Sequence, residues 1–358
     1  MQELTPLERN RLYYAGEEVD RLPHGLLGIE TGCSLYGIGP REALHSPEKA
    51  MEVADHLVKE FDVDSIGFGP DLKGLGEAVG SRVCYPEWNI CYVEEPVLKD
   101  YGNLKELYDI NLRQKGRLPQ ILETLKRLKD KYGNTRGISN AIAGPMSTAA
   151  SIRGTENLLK DMLREPEQLH RLLDFTVELN RKWVQYVWES CRVSPSIADP
   201  VASLNLLGVK RFREFEKPYL IRLCREIREI TGKKPSLHIC GKTKGVWEDF
   251  RDLGISSFSL DNCESLRELK ETTGDVIGIS GNVNPTDVMR YGTPEDVENA
   301  VKKCLKEAAD SPKGYAPGAG CQIPLGTPRE NLHAFCAAVE KYSRHAKIGQ
   351  PVSFLCQE

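Results

Sequence analysis

The stretch Pro235-Ser236-Leu237-His238-Ile239-Cys240-Gly241 decides how this chain folds. It is short, apolar at its centre and bounded by Pro and Gly, which reads as a core β-strand. In a strand, residues i and i+2 share a face, so the His238 imidazole and the Cys240 sulfur point the same way. A further soft donor, Cys321, stands 81 positions after Cys240, in the small-residue run Gly318-Ala319-Gly320-Cys321-Gln322. Two thiols and an imidazole favour zinc over magnesium or calcium. Three protein ligands also leave a tetrahedral ion one open position, the arrangement of a catalytic zinc. The competing reading is a small buried Cys240 beside a hydrogen-bonded His238.

Outward from 235–241 the same kind of segment recurs. Short β-rich runs lie at 23–30, 63–69, 137–144, 195–202, 256–261, 276–283 and 314–321. Longer amphipathic stretches separate them. One of these, 166–190, carries Leu169, Leu172, Leu173, Leu179, Trp183 and Val187 on a single helical stripe. Ser46-Pro47-Glu48 and Thr293-Pro294-Glu295 are helix starts, with a capping residue and Pro at the first helical position. Eight strands alternating with helices predict an α/β protein, a (β/α)8 TIM barrel. The expected organisation is a single barrel domain over 1–358 with its largest insertion around 70–117. A doubly wound sheet is the alternative, but neither GxGxxG nor GxxxxGK[ST] occurs.

The composition is 40% hydrophobic and 28% charged over 358 residues, suited to a globular core and unlike a disordered chain. A net charge of −4 and no basic block beyond Lys233-Lys234 or Lys302-Lys303 argue against nucleic-acid binding. No apolar run approaches the ~20 residues of a membrane helix. The N-terminal Met1-Gln2-Glu3-Leu4 is polar and does not read as a signal peptide. Eleven cysteines, the last at Cys356, form no CxxC pair. An odd number without a secretory signal points to a cytoplasmic, reducing location.

Active sites of TIM barrels gather at the C-terminal ends of the strands. Asp71, Asp199, His238, Cys240, Asp261, Asn282 and Cys321 all fall at such ends, so the fold is expected to bring them together. Asp71 and Asp199 are candidate catalytic carboxylates, orienting His238 or anchoring substrate, unless each only caps a turn. Arg153 could clamp an acidic substrate group bidentately or sit in an ion pair. Asn282, in Gly281-Asn282-Val283-Asn284-Pro285, is a substrate-binding candidate or an Asx-turn. Lys242 and Lys244 could attract an anionic tail or stay solvated. GxSxG and HExxH are absent, and a Cys–His protease would leave one cysteine without a role.

Several longer motifs are similar to the uroporphyrinogen decarboxylase superfamily. They are Phe68-Gly69-Pro70-Asp71, Glu77-Ala78-Val79-Gly80, Ala143-Gly144-Pro145, Arg153-Gly154, Ala198-Asp199-Pro200 and Gly281-Asn282-Val283-Asn284-Pro285. The match spans roughly 5 to 345. Leu237-His238-Ile239-Cys240-Gly241 with Gly320-Cys321 resembles the narrower corrinoid-dependent methyltransferase branch, typified by methylcobalamin:coenzyme M methyltransferases. That resemblance implies zinc on His238, Cys240 and Cys321, and methyl transfer between a corrinoid and a zinc-activated thiol such as coenzyme M. Corrinoid, as methylcobalamin or on a corrinoid protein partner, is then a co-substrate. No DxHxxG motif is present, so it is expected on a separate subunit or free in solution. The alternative direction moves a methyl from a small-molecule donor, such as a methoxylated compound, onto Co(I) corrinoid. The decarboxylase itself fits less well. Asp71 matches its catalytic aspartate, but Leu27-Gly28-Ile29-Glu30-Thr31-Gly32-Cys33 stands where that enzyme carries an arginine-rich run.

Overall fold

The computed structural model describes residues 4–353; Met1-Gln2-Glu3 and Cys356 lie outside that span. The strands are β1 (Ser65–Asp71), β2 (Arg82–Cys84), β3 (Tyr92–Glu95), β4 (Gly137–Ala143), β5 (Ser194–Ala198), β6 (Ser236–His238), β7 (Ser257–Ser259), β8 (Gly278–Ser280) and β9 (Tyr315–Ala316). Seven of them form one parallel sheet in the order β1-β4-β5-β6-β7-β8-β9. Helices such as Pro166–Cys191 and Lys217–Thr231 cover it. This is the TIM barrel that the alternation of segments predicts. β2 and β3 pair separately as an antiparallel hairpin. They lie in the 72–117 connection between β1 and the helix Leu118–Tyr132.

The parallel register sorts side chains into rows. Ala198, His238, Ser259, Ser280 and Ala316 stand side by side from β5 to β9. The row beneath is Ile197, Leu237, Phe258, Ile279 and Tyr315, every member of which is buried. Alternation along a strand sends these two rows to opposite faces. The apolar row packs under the helices. Of the small row, Ser259 and Ser280, with Ser65, Gly67 and Ser139, line a cavity of about 300 Å³ in the ring interior.

The expected strand at 23–30 is corrected. Residues 23–28 run extended without joining the ladder, and a short helix, Ile29–Gly32, takes the end of the segment. It still fills the eighth place in the ring. The Gly25 N–H donates to Pro317 O at 3.0 Å, just past β9. On the other side, the His24 N–H donates to the Asp64 carboxylate at 2.7 Å, just before β1. Arg9 and Arg21 also donate to Asp64, at 2.8 and 2.7 Å. A carboxylate with two guanidinium partners thus closes the ring where backbone pairing fails. Such buried charges persist because they are paired. No helix among the described residues is long and apolar enough to cross a membrane.

Asp199 follows the end of β5, but its side chain is enclosed against a neighbouring helix. It is fully buried and accepts from the N–H groups of Met146 and Ser147 at 3.0 and 2.8 Å, and from the Ser147 hydroxyl at 2.6 Å. It therefore holds the N-terminus of the helix Pro145–Arg153, where the macrodipole favours an anion. Glu216, equally buried, lies beside it. Burial pushes Asp199 up to about 6, and burial together with Asp199 pushes Glu216 up strongly. The pair thus retains a proton. A raised carboxyl pKa contributes stability below the unfolded value of about 4.5, and that stability is lost as pH rises through the folded values. Glu216→Gln supplies the neutral form permanently. Denaturant titrations from pH 5 to 8 are expected to show a flatter stability profile for this variant than for the wild type, with the greatest gain at pH 8.

Candidate functional site

His238 ends β6 on the interior row, and Cys240 follows two residues later. The His238 Nδ1 lies 3.0 Å from Ser259 O. A carbonyl only accepts, so Nδ1 carries the ring hydrogen and Nε2 turns its lone pair toward the sulfurs. Nε2 lies 3.1 Å from Cys240 Sγ, which lies 3.3 Å from Cys321 Sγ. All three ligand atoms fall within 4.8 Å of one another, and this is the metal-competent His/Cys/Asp/Glu group among the described residues. One ion bound at about 2.0–2.3 Å from each donor fits between them.

The electrostatics suit a cation. The hydrogen bond from the Cys240 thiol, aided by His238, pushes Cys321 down to about 4. Cys240, as the donor to that thiolate, is pushed up. Burial opposes the His238 cation, but Cys321 and the Ser259 carbonyl outweigh it and raise His238. Two sulfurs thus compete for one proton, which a soft divalent ion would displace.

The loop after β7 holds both cysteine-bearing loops. Asp261 accepts from the Gly241 N–H at 2.7 Å, next to Cys240. Gly241 has φ +73°, a conformation that suits glycine. Glu264 accepts from the N–H groups of Thr243 and Lys244 at 2.9 and 2.8 Å. The Cys321 loop presses on the same segment. A Cβ at Gly320 would stand 2.4 Å from Asn262 N, so only glycine permits that approach. Asn282 secures the segment from β8, donating to Asp261 O and Glu264 O at 3.1 and 2.8 Å. Its amide is therefore engaged with backbone. Lys244 pairs with Glu268 at 2.6 Å, and Lys242 is exposed.

A second polar group stands at the end of β1. Asp71, at φ +51°, accepts from the Lys73 N–H and pairs with Arg117 at 2.7 Å. Arg117 is buried and also meets Glu77 and the Tyr85 hydroxyl, at 3.2 and 2.7 Å. Glu30 joins this group from the segment closing the ring. Burial and the Asp71 charge raise its pKa, and it accepts from the Gln322 amide at 3.1 Å, next to Cys321. Glu30, Arg117 and Glu264 were not singled out in the sequence. Glu30 is the one with a signal, since it lies in the run 27–33 that stands out for carrying no arginine.

Arg153 is buried. It pairs with Asp161 at 2.7 Å, donates to Leu98 O and Lys99 O, and lies over the Tyr101 ring. It thus pins the 98–101 segment to the barrel rather than presenting an open clamp. The site residues accordingly separate. His238, Cys240 and Cys321 converge, Asp261 and Asn282 brace them, Asp71 joins the Arg117 group, and Asp199 and Arg153 serve the frame.

The sequence profile of the uroporphyrinogen decarboxylase (URO-D) family matches residues 5–342. The methylated-thiol–coenzyme M methyltransferase of Methanosarcina mazei is 26% identical over 351 residues, covering 95% of this chain and 90% of that protein. A methylcobamide:CoM methyltransferase of the same organism is 28% identical over 354 residues, covering 96% and 99%. The solved structure of a methyltransferase from Methanosarcina mazei superposes with a TM-score of 0.83 at 25% identity, covering 95% of this chain and 99% of that one. With the barrel, the soft-donor triad and these likenesses together, the chain belongs to the uroporphyrinogen decarboxylase family, on its methyltransferase branch.

Proposed function

We propose that this methyltransferase moves a methyl group from a methyl-corrinoid to a thiol, with zinc held by His238, Cys240 and Cys321. The observation that carries the reading is the meeting of one imidazole and two sulfurs within 4.8 Å. It gains support from relatives that are named for methylcobamide and coenzyme M. Zinc bound there would offer its open position to a thiol and keep the sulfur as thiolate near neutral pH.

The chain's own residues prepare that position. The Ser259 carbonyl fixes the His238 tautomer, and Asp261 and Glu264 hold the backbone that carries Cys240. Gly320 lets the Cys321 loop close against Asn262. Asp71, Arg117 and Glu30 form a charged wall beside Gln322, suited to orienting a small polar thiol. Transfer forms a sulfur–carbon bond and breaks a cobalt–carbon bond, with the bonding pair left on cobalt.

Four outcomes check the reading. Purified wild type is expected to hold about one zinc per chain. Cys240→Ala should lose zinc and thiol methylation together, and its retention of both would sink the proposal. Asp261→Ala leaves the ligands in place but frees the Gly241 N–H, so zinc affinity measured by chelator competition should fall about 10–100-fold. For direction, the protein is mixed with methylcobalamin plus coenzyme M, and separately with Co(I) cobalamin plus methoxylated aromatics. Loss of the methylcobalamin spectrum in the first mixture alone is expected; change confined to the second assigns the reverse transfer.

A further inference from the structure

A cleft of about 820 Å³ lies beside the barrel mouth, between the helix Pro40–His45 and the β2–β3 hairpin. Both elements follow the C-terminal ends of neighbouring ring positions, the 23–28 segment and β1. Trp88, at the hairpin tip, is 55% exposed. Tyr85 meets His45 edge to face at 4.4 Å between ring centres. His45 Nδ1 donates to Arg41 O at 2.8 Å, and the residue lines the cleft. Arg41 is exposed and has no ion-pair partner among the described residues. Of the acids here, Glu42 has Lys49 at 3.6 Å, while Glu87 is exposed. The cleft is wired to the mouth, because Tyr85 receives a hydrogen bond from Arg117, the partner of Asp71.

An exposed indole next to an unpaired guanidinium suits a nucleotide, whose base stacks and whose phosphate is held by arginine. A complete corrinoid carries such a group: a nucleotide tail with an aromatic base, a ribose and a phosphodiester. We propose that this cleft binds the nucleotide tail of the corrinoid, with Trp88 against the base, Arg41 on the phosphate and Glu87 accepting from the ribose. The proposal rests on the corrinoid reading above. A corrin that presents its methyl face inward turns its tail side outward. A tail reaching the cleft has therefore let go of cobalt. The cobalt–nitrogen bond opens, and its electron pair stays on the base.

The test compares methylcobalamin with methylcobinamide, which lacks the tail, by equilibrium binding and visible absorption. The wild type is expected to bind methylcobalamin roughly tenfold more tightly. The spectrum of bound methylcobalamin should move to that of the base-free form. Trp88→Ala and Arg41→Ala should each bring methylcobalamin down toward the methylcobinamide level. Variants that weaken both corrinoids equally, or neither, overturn the subsite, as does bound methylcobalamin that keeps its base on cobalt. Wild type that binds neither corrinoid removes the corrinoid reading itself, and the subsite with it.

Discussion

The parallel register from β5 to β9 is the constraint on which the rest depends. It sets Ala198, His238, Ser259, Ser280 and Ala316 in one row and Ile197, Leu237, Phe258, Ile279 and Tyr315 in the next. A slip of one residue at β6 would turn the His238 imidazole toward the helices and Leu237 into the ring. The apolar row resists such a slip because every member is buried against helices. The imidazole is thus aimed by hydrophobic burial on the opposite face of its own strand. The same row supplies its hydrogen-bond partner, since Ser259 is the registered neighbour of His238 and its carbonyl accepts from Nδ1.

Above the strands, backbone hydrogen bonds to side chains do the work that ladder bonds do below. The segment 261–264 lies between the two cysteine-bearing loops and touches both, through Asp261 and Glu264 on one side and Asn262 on the other. Asn282 fixes it from beneath. Loops carry orphan N–H groups that must find acceptors, and here carboxylates satisfy them while setting the position of Cys240. The ring closes by the same economy: Asp64 with Arg9, Arg21 and the His24 N–H joins 23–28 to β1 without a strand pair.

Much of this was legible in the chain. Apolar runs bounded by Gly and Pro marked seven of the ring strands, and the His-x-Cys spacing marked two donors on one face. Caps such as Ser46 and Thr293 marked true helix starts. The segment 23–30 misled because its apolar pattern satisfies a strand, while ladder pairing depends on a neighbour close enough to bond. Asp199 misled for a related reason. Its place at a strand end was read correctly, but the N–H groups of Met146 and Ser147 claimed its oxygens. Arg153 was drawn off by Asp161, a partner on the following helix. Glu264 and Arg117 carry no motif, since their roles come from contacts with residues 20 to 46 positions away.

By itself the sequence determined the alternation of strands and helices, the shared face of His238 and Cys240 and the soft character of the donors, because these depend on local periodicity and on the chemistry of side chains. Only the tertiary structure decided that Cys321 meets Cys240, that Asp199 serves a helix end and that Arg117 joins Asp71 to the hairpin. Those are matters of distance between remote segments. Distance is set by packing the whole ring, which no short stretch of chain encodes.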